Sequence, residues 1–171
     1  FRWRLPEPVD PTPAFRTAAR AAGFSDRVTA LLVGRGVADP EDLAAFVAPV
    51  GEGLHDPRLL PDAKALVARL ERARAGSERV LVFGDFDADG LTGLAIMIRA
   101  LRAIGLDAEP YVPSRLDEGH GLSLRAVETA EATGRSIIVT VDTGSSSVAE
   151  VAEAARRGID VIITDHHRLP P

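Results

Sequence analysis

Four short apolar runs recur through the second half of the chain, at residues 79–83, 108–112, 136–141 and 159–164. Each is too short for a helix, and Val80-Leu81-Val82-Phe83 and Val161-Ile162-Ile163-Thr164 are rich in β-branched residues, so the runs read as buried strands. Between them lie longer stretches that read as helices, 91–104, 123–133 and 147–157, each closed by a glycine (Gly105, Gly134, Gly158). Strands alternating with helices of this length predict an α/β fold, a parallel sheet flanked by helices.

The first 78 residues carry a different pattern. Two short helices are expected over 14–22 and 25–33, separated by Gly23. Asp39-Pro40 is a helix start, with Asp39 as cap and Pro40 in the first turn, and the helix over 41–47 is expected to bury Leu43 and Phe46. A loop with Gly51, Gly53, His55 and Pro57 follows; a lone loop histidine such as His55 reads as a turn or capping residue. Pro61-Asp62 then opens a helix to about Ala75, with Leu66, Val67 and Leu70 on one face. The proline-rich start is expected to be extended, with Trp3 as an anchor. The chain thus divides into a small helical N-terminal region, 1–78, and the first part of an α/β domain, 79–171. It begins at Phe1 without methionine and stops just past a motif, so a fragment of a longer protein is expected.

Composition narrows the chemistry. The absence of cysteine excludes disulfides and thiolate metal sites. No apolar stretch reaches the roughly 18 residues of a membrane span, and no signal peptide is visible, so a cytoplasmic location is the default. Of the 20 basic residues only Lys64 is lysine. Arginine suits bidentate phosphate contacts, although a codon bias toward Arg and Ala explains the excess equally well.

Candidate chemistry collects at the strand ends. Asp85, Asp87 and Asp89 follow the first run, Asp142 the third, and Asp165-His166-His167 the fourth. In open parallel sheets the binding site lies beyond the carboxyl ends of the strands, so pairing would gather these residues on one rim. Carboxylates crowded this closely repel one another unless a cation sits between them. A set of oxygens and imidazoles without sulfur suits Mn²⁺ or Mg²⁺, singly or as a pair. Those five carboxylates match the whole formal net charge of −5, leaving the rest of the chain neutral. Each aspartate alone could instead be a cap or turn residue.

Rival readings of 85–90 fail on specific residues. An EF-hand loop counted from Asp85 places Ile96 where a bidentate glutamate is needed. A dinucleotide-binding turn would set three carboxylates against a pyrophosphate. A phosphatase of the haloacid-dehalogenase type needs a later lysine, absent after Lys64, and leaves His166 and His167 without a role. Arg115 is a candidate phosphate contact, with an ordinary surface arginine as the alternative. Gly144 with Ser145, Ser146 and Ser147 either offers N–H groups to a phosphate or caps the next helix.

Asp165-His166-His167 after an apolar strand resembles the signature of the DHH phosphoesterase superfamily, and the remaining motifs resemble its bacterial single-strand exonucleases. Residues 82–90 are similar to the first motif, usually written with Tyr at Phe86. Pro113-Ser114-Arg115 with Glu118-Gly119-His120-Gly121 is similar to the second, where His120 is more often Tyr. Val141-Asp142-Thr143-Gly144 is similar to the third, with Thr143 and Ser145 in place of the more usual Cys and Ile. Arg2-Trp3-Arg4-Leu5-Pro6 and residues 54–61 resemble the helical N-terminal region.

The resemblance implies that Asp87 and Asp89 are metal ligands, with Asp85 a ligand or its immediate support. It implies that Asp142 bridges two ions, Mn²⁺ or Mg²⁺, and that His166 ligates the second. Asp165 would orient its neighbours and His167 would lie near the scissile phosphate. One further aspartate ligand is implied downstream, together with domains that close the channel, so this chain alone is expected to be inactive or nearly so. The implied activity is release of mononucleotides from single-stranded DNA, 5′ to 3′, in DNA repair and recombination. The alternative is another member of the superfamily acting on short oligonucleotides or small phosphates. Single-stranded DNA is the implied partner, with single-strand-binding protein and a helicase besides, no membrane, and a monomeric state.

Overall fold

The computed structural model describes residues 9–48 and 54–168. Trp3 with the Arg2–Pro6 motif, and Gly51 and Gly53, lie outside the described residues. The chain forms two compact units, Phe1–Leu59 and Leu60–Pro171.

In the first unit, α1 (Pro13–Ala21), α2 (Asp26–Gly34) and α3 (Pro40–Val47) each follow a side-chain cap. Thr12 Oγ1 accepts from the Phe15 amide, Ser25 Oγ from Val28, and Asp39 Oδ1 from both Glu41 and Asp42. These bonds satisfy amides that a helix start leaves free, at about 1 kcal/mol per cap. Phe15, Ala19, Leu32, Val33 and Leu43 form the core of this unit. Phe46, expected beside Leu43, is 61% exposed. Helix α3 has only two turns, and Leu43 is its one buried residue.

The second unit is built of α4 (Ala63–Ala75), β1 (Arg79–Gly84), α5 (Ala88–Ala103), β2 (Asp107–Tyr111), α6 (Leu124–Ala132), β3 (Ile137–Val141), α7 (Val148–Arg156) and β4 (Asp160–Thr164). The strands lie in the order β2-β1-β3-β4, all parallel. Central β3 is buried throughout and β1 everywhere but Arg79, which is why both read as unbroken apolar runs. Edge strands β2 and β4 carry Asp107, Glu109 and Asp160 and stay partly exposed.

Side-chain alternation sorts β1 onto two cores. Val80 and Val82 pack with Leu94, Ile98 and Leu101 of α5, while Leu81 and Phe83 pack with Val127 and Ala130 of α6. Burying each such side chain is worth about 1.5–3 kcal/mol. Helix α4 belongs to this unit: Ala73 is fully buried in the α5-side core, Leu70 packs against it, and Val67 faces solvent. Arg69 pins the helix to the sheet through Glu78 at 2.8 Å and Asp160 at 2.6 Å. The compact unit that holds the sheet thus begins at Leu60 and takes in α4, whose stripe gives no sign of which core receives it. Among the described residues no helix is long and apolar enough to cross a membrane.

Candidate metal centre

The carboxyl ends of β1, β3 and β4 deliver the acidic and imidazole groups to one rim. Asp85 continues β1 for one step, its amide donating to the Val141 carbonyl at 3.2 Å. Its side chain is buried, and Oδ1 has no hydrogen-bond partner. Asp87 caps α5, Oδ1 accepting from the amides of Asp89 and Gly90 at 3.0 Å each. That cap starts the helix at Ala88, three residues before the Leu91 suggested by the apolar pattern. Gly90 therefore lies in the first helical turn, and its role is close approach: a Cβ there would stand 2.5 Å from the Asp85 carbonyl oxygen. The positive end of the α5 dipole faces Asp87 and Asp89 and eases their mutual repulsion.

At the end of β3 the chain takes a left-handed step, with Asp142 at φ 61°. That conformation costs a side-chain-bearing residue about 1–2 kcal/mol, and Asp tolerates it better than most. The Asp142 amide donates to the Thr164 carbonyl at 2.8 Å, joining the turn to β4. Asp142 Oδ1 is also buried without a hydrogen-bond partner, although His166 Nε2 lies 2.8 Å away. Proximity without hydrogen-bond geometry fits two lone pairs aimed at a shared third party.

Asp165 is committed to local structure. Oδ2 accepts from the Ser145 amide at 2.9 Å and Oδ1 from the His167 amide at 3.0 Å, with His167 Nδ1 2.8 Å from Oδ1. Burial pushes its carboxyl up, but these donors outweigh burial and hold it well below the usual carboxylate range. The carboxylate in turn raises the His167 imidazole above its ordinary value.

Two overlapping donor sets result. Asp85, Asp87 and Asp142 offer oxygens within 4.8 Å of one another, and Asp142, His166 and His167 do the same, so Asp142 is common to both. Asp89 joins from α5, its Oδ2 3.5 Å from His166 Nε2. The orphaned buried oxygens of Asp85 and Asp142 provide a physical test of fit: buried unpaired carboxylate is costly, and a divalent cation removes the cost. Oxygen and imidazole donors without sulfur suit Mn²⁺ better than a structural zinc. An open depression of ≈ 290 Å³ beside the set is lined by Asp89, Gly93, Asp142, Thr164, Asp165 and His166, among others.

The loop after β2 adds groups that sequence patterns pointed to less directly. Glu118 clasps it: Oε1 accepts from the Ser114 amide at 2.9 Å, and Oε2 from Tyr111 Oη at 2.8 Å and Ser123 Oγ at 2.5 Å. Burial raises the Glu118 carboxyl, but these donors prevail and leave it below its ordinary value. The loop places His120 Nδ1 3.8 Å from Asp85 Oδ2 and its ring 4.6 Å from that of Phe86. The Arg115 guanidinium lies over Phe86, the residue between Asp85 and Asp87, 5.2 Å from the ring centroid. The Ser145 amide is occupied by Asp165, and Ser147 Oγ accepts from the Leu122 amide at 2.9 Å instead of capping α7. Glu118 lies in the second motif, yet only the folding of its own loop, which brings Tyr111, Ser114 and Ser123 around it, reveals its structural work.

Comparison with known proteins shows the family. Residues 79–171 match the DHH family, N-terminal domain. The single-stranded-DNA-specific exonuclease RecJ of Bacillus subtilis (strain 168) is 32% identical over 171 residues, 100% of this chain and 22% of that protein. RecJ of Dickeya dadantii (strain 3937) is 44% identical over 134 residues, 78% of this chain and 23% of that protein. Among solved structures, RecJ of Thermus thermophilus in complex with Mn²⁺ superposes with a TM-score of 0.62 at 30% identity, covering 94% of this chain and 22% of that one. An exonuclease RecJ bound to manganese gives 0.58 at 41% identity, covering 63% and 28%. The chain thus spans about a fifth of the length of the curated relatives it matches. The chain belongs to the DHH family, whose N-terminal domain occupies its residues 79–171.

Proposed function

We propose that this chain carries the metal site of a phosphodiesterase that removes mononucleotides from single-stranded DNA in the 5′-to-3′ direction during repair and recombination. The observation that carries the reading is the pair of buried, unpartnered carboxylate oxygens on Asp85 and Asp142, one of them facing His166, at the rim of the sheet. Relatives described as single-stranded-DNA-specific exonucleases support the substrate, and relatives solved with manganese support the ion.

Asp85, Asp87, Asp89, Asp142 and His166 would hold the metal, Asp142 being shared between the two donor sets. Bound divalent cations supply Lewis acidity to the phosphate and lower the pKa of water, and a pair of them clamps both oxygens of an in-line displacement. Asp165 fixes the turns that present His166 and Ser145, and orients the His167 ring through Nδ1. His167, kept more basic by Asp165, stands beside Asp142 as a donor to a phosphate oxygen. Arg115, seated on Phe86, supplies a guanidinium for the phosphodiester backbone. Because phosphates carry the recognition, binding is expected to be indifferent to sequence and sensitive to salt. In this reading the protein acts as a cytoplasmic monomer, with a helicase to expose its substrate and single-strand-binding protein to cover it.

The test supplies the intact protein with Mn²⁺ and strands labelled at either end, with duplex and circular controls. Early release of the 5′ label as mononucleotide, with circles spared, is the expected result. Efficient cutting of circles, or a preference for pyrophosphate or short oligonucleotides, would move the protein to another branch of the family.

A further inference from the structure

We infer that Thr140 is a positioning residue for the metal centre, its hydroxyl holding the turn that aims the Asp142 carboxylate at the rim. The inference rests on the metal-dependent reading of that site. Thr140 is the only polar residue in β3, and it is completely buried. A valine would fill the same volume, so the hydroxyl needs its own explanation. Its Oγ1 donates to the Thr143 carbonyl at 2.7 Å, closing a ring across Val141 and Asp142.

Had β3 continued as a strand, residue 142 would point to the same face as Thr140, into the packed layer beneath the sheet. The left-handed step at Asp142 removes it from that course, and the Thr140–Thr143 bond spans the step. Gly144, at φ +110°, rests directly on the clasp: a Cβ there would stand 2.7 Å from Thr140 Oγ1. From the other side, Thr164 Oγ1 donates to the Thr140 carbonyl at 2.6 Å, and the Asp142 amide donates to the Thr164 carbonyl at 2.8 Å. Asp142 is thus gripped between Thr140 and Thr164 while Oδ1 is left free of hydrogen bonds. Removing the hydroxyl leaves the Thr143 carbonyl unpaired and lets Asp142 relax toward extended backbone, away from His166.

The experiment is titration of the metal-stripped protein with Mn²⁺, followed by electron paramagnetic resonance, with melting curves alongside. Thr140→Val should weaken Mn²⁺ binding about 10–100-fold, the usual effect of removing a group that orients a metal ligand, while Thr140→Ser restores it to within about threefold. Thr29→Val removes another buried hydroxyl, one bonded to Ser25 in the helical unit, and should leave the affinity unchanged. Thr140→Ala, which adds no methyl against Gly144, is read in the same way should the valine variant not fold. Wild-type Mn²⁺ affinity in either hydroxyl-free variant, or equal loss in Thr140→Ser, would overturn the role of Thr140 alone. A wild-type protein that takes up no Mn²⁺ would overturn the metal-dependent reading and this inference with it.

Discussion

Asp142 has more demands placed on it than any other residue of the site. It is shared by both donor sets, held in left-handed backbone, and buried with one oxygen unpaired. Asp142→Ala should abolish nuclease activity of the intact protein with Mn²⁺ while leaving the far-ultraviolet circular dichroism unchanged. The melting temperature of the metal-free form should change little, relief of carboxylate crowding offsetting the strain that alanine meets in left-handed backbone. Near-normal turnover in this variant would sink the shared-ligand assignment. Gly90 is a second sensitive point, for steric reasons. A Cβ there collides with rigid backbone of Asp85, so Gly90→Ala should lower stability in urea by about 1–3 kcal/mol, the usual cost of overpacking. Neither demand could be read from residue type alone. Nothing in Asp-Ala-Asp-Gly shows that Gly90 lies against the backbone of Asp85, and nothing in Val-Asp-Thr-Gly shows a positive φ at the aspartate. What was legible was the recurrence of Asp and His at strand ends, which the short apolar runs had already located.

Among the elements, the loop between β2 and α6 depends on one carboxylate. Glu118 draws together Tyr111, Ser114 and Ser123, and the segment it organises carries Arg115 and His120 to the site. Its folded-state pKa lies below the unfolded value, so its contribution to stability is complete above that value, about 4.3. The contribution fades as pH falls through the lower, folded-state pKa. Melting of metal-free wild type and Glu118→Gln should therefore differ most near neutrality and converge as the pH falls through the folded-state pKa. A gap that widened in acid would contradict the assignment. Strands and helices of the α/β unit were readable to within three residues, because burial on both faces writes continuous apolar runs into β1 and β3. The membership of α4 was not readable, since Leu66, Leu70 and Ala73 make the same stripe whichever core lies beneath. The Glu118 clasp escaped notice for a related reason: a glutamate in a loop looks solvated until Tyr111 and Ser123 are seen beside it.

For the whole molecule, a metal ion held by Asp85, Asp142 and His166 would tie together the ends of three strands, β1, β3 and β4. Mn²⁺ should therefore raise the melting temperature of the α/β unit and slow hydrogen exchange at residues 142–147 and along β4, leaving the helical unit unchanged. A ligand at a hundred times its Kd adds about 2.7 kcal/mol, and chelation should reverse the effect. Uniform protection across both units, or none, would argue against a site assembled from strand ends.

The sheet order β2-β1-β3-β4 also fixes when the centre can exist. Strand β1 is made first and finds β2 soon afterwards, but Val80 must wait for Ile137, and the β3 partners of β4 are the last to be matched. At roughly 5–20 residues per second on the ribosome, Asp85, Asp87 and Asp89 emerge several seconds ahead of His166. Asp142 follows part-way through that interval, but its amide partner Thr164 and the imidazoles of His166 and His167 come only at the end of it. A nascent chain, surrounded by nucleic acid in the translating ribosome, therefore cannot assemble this donor set before its fourth strand has docked.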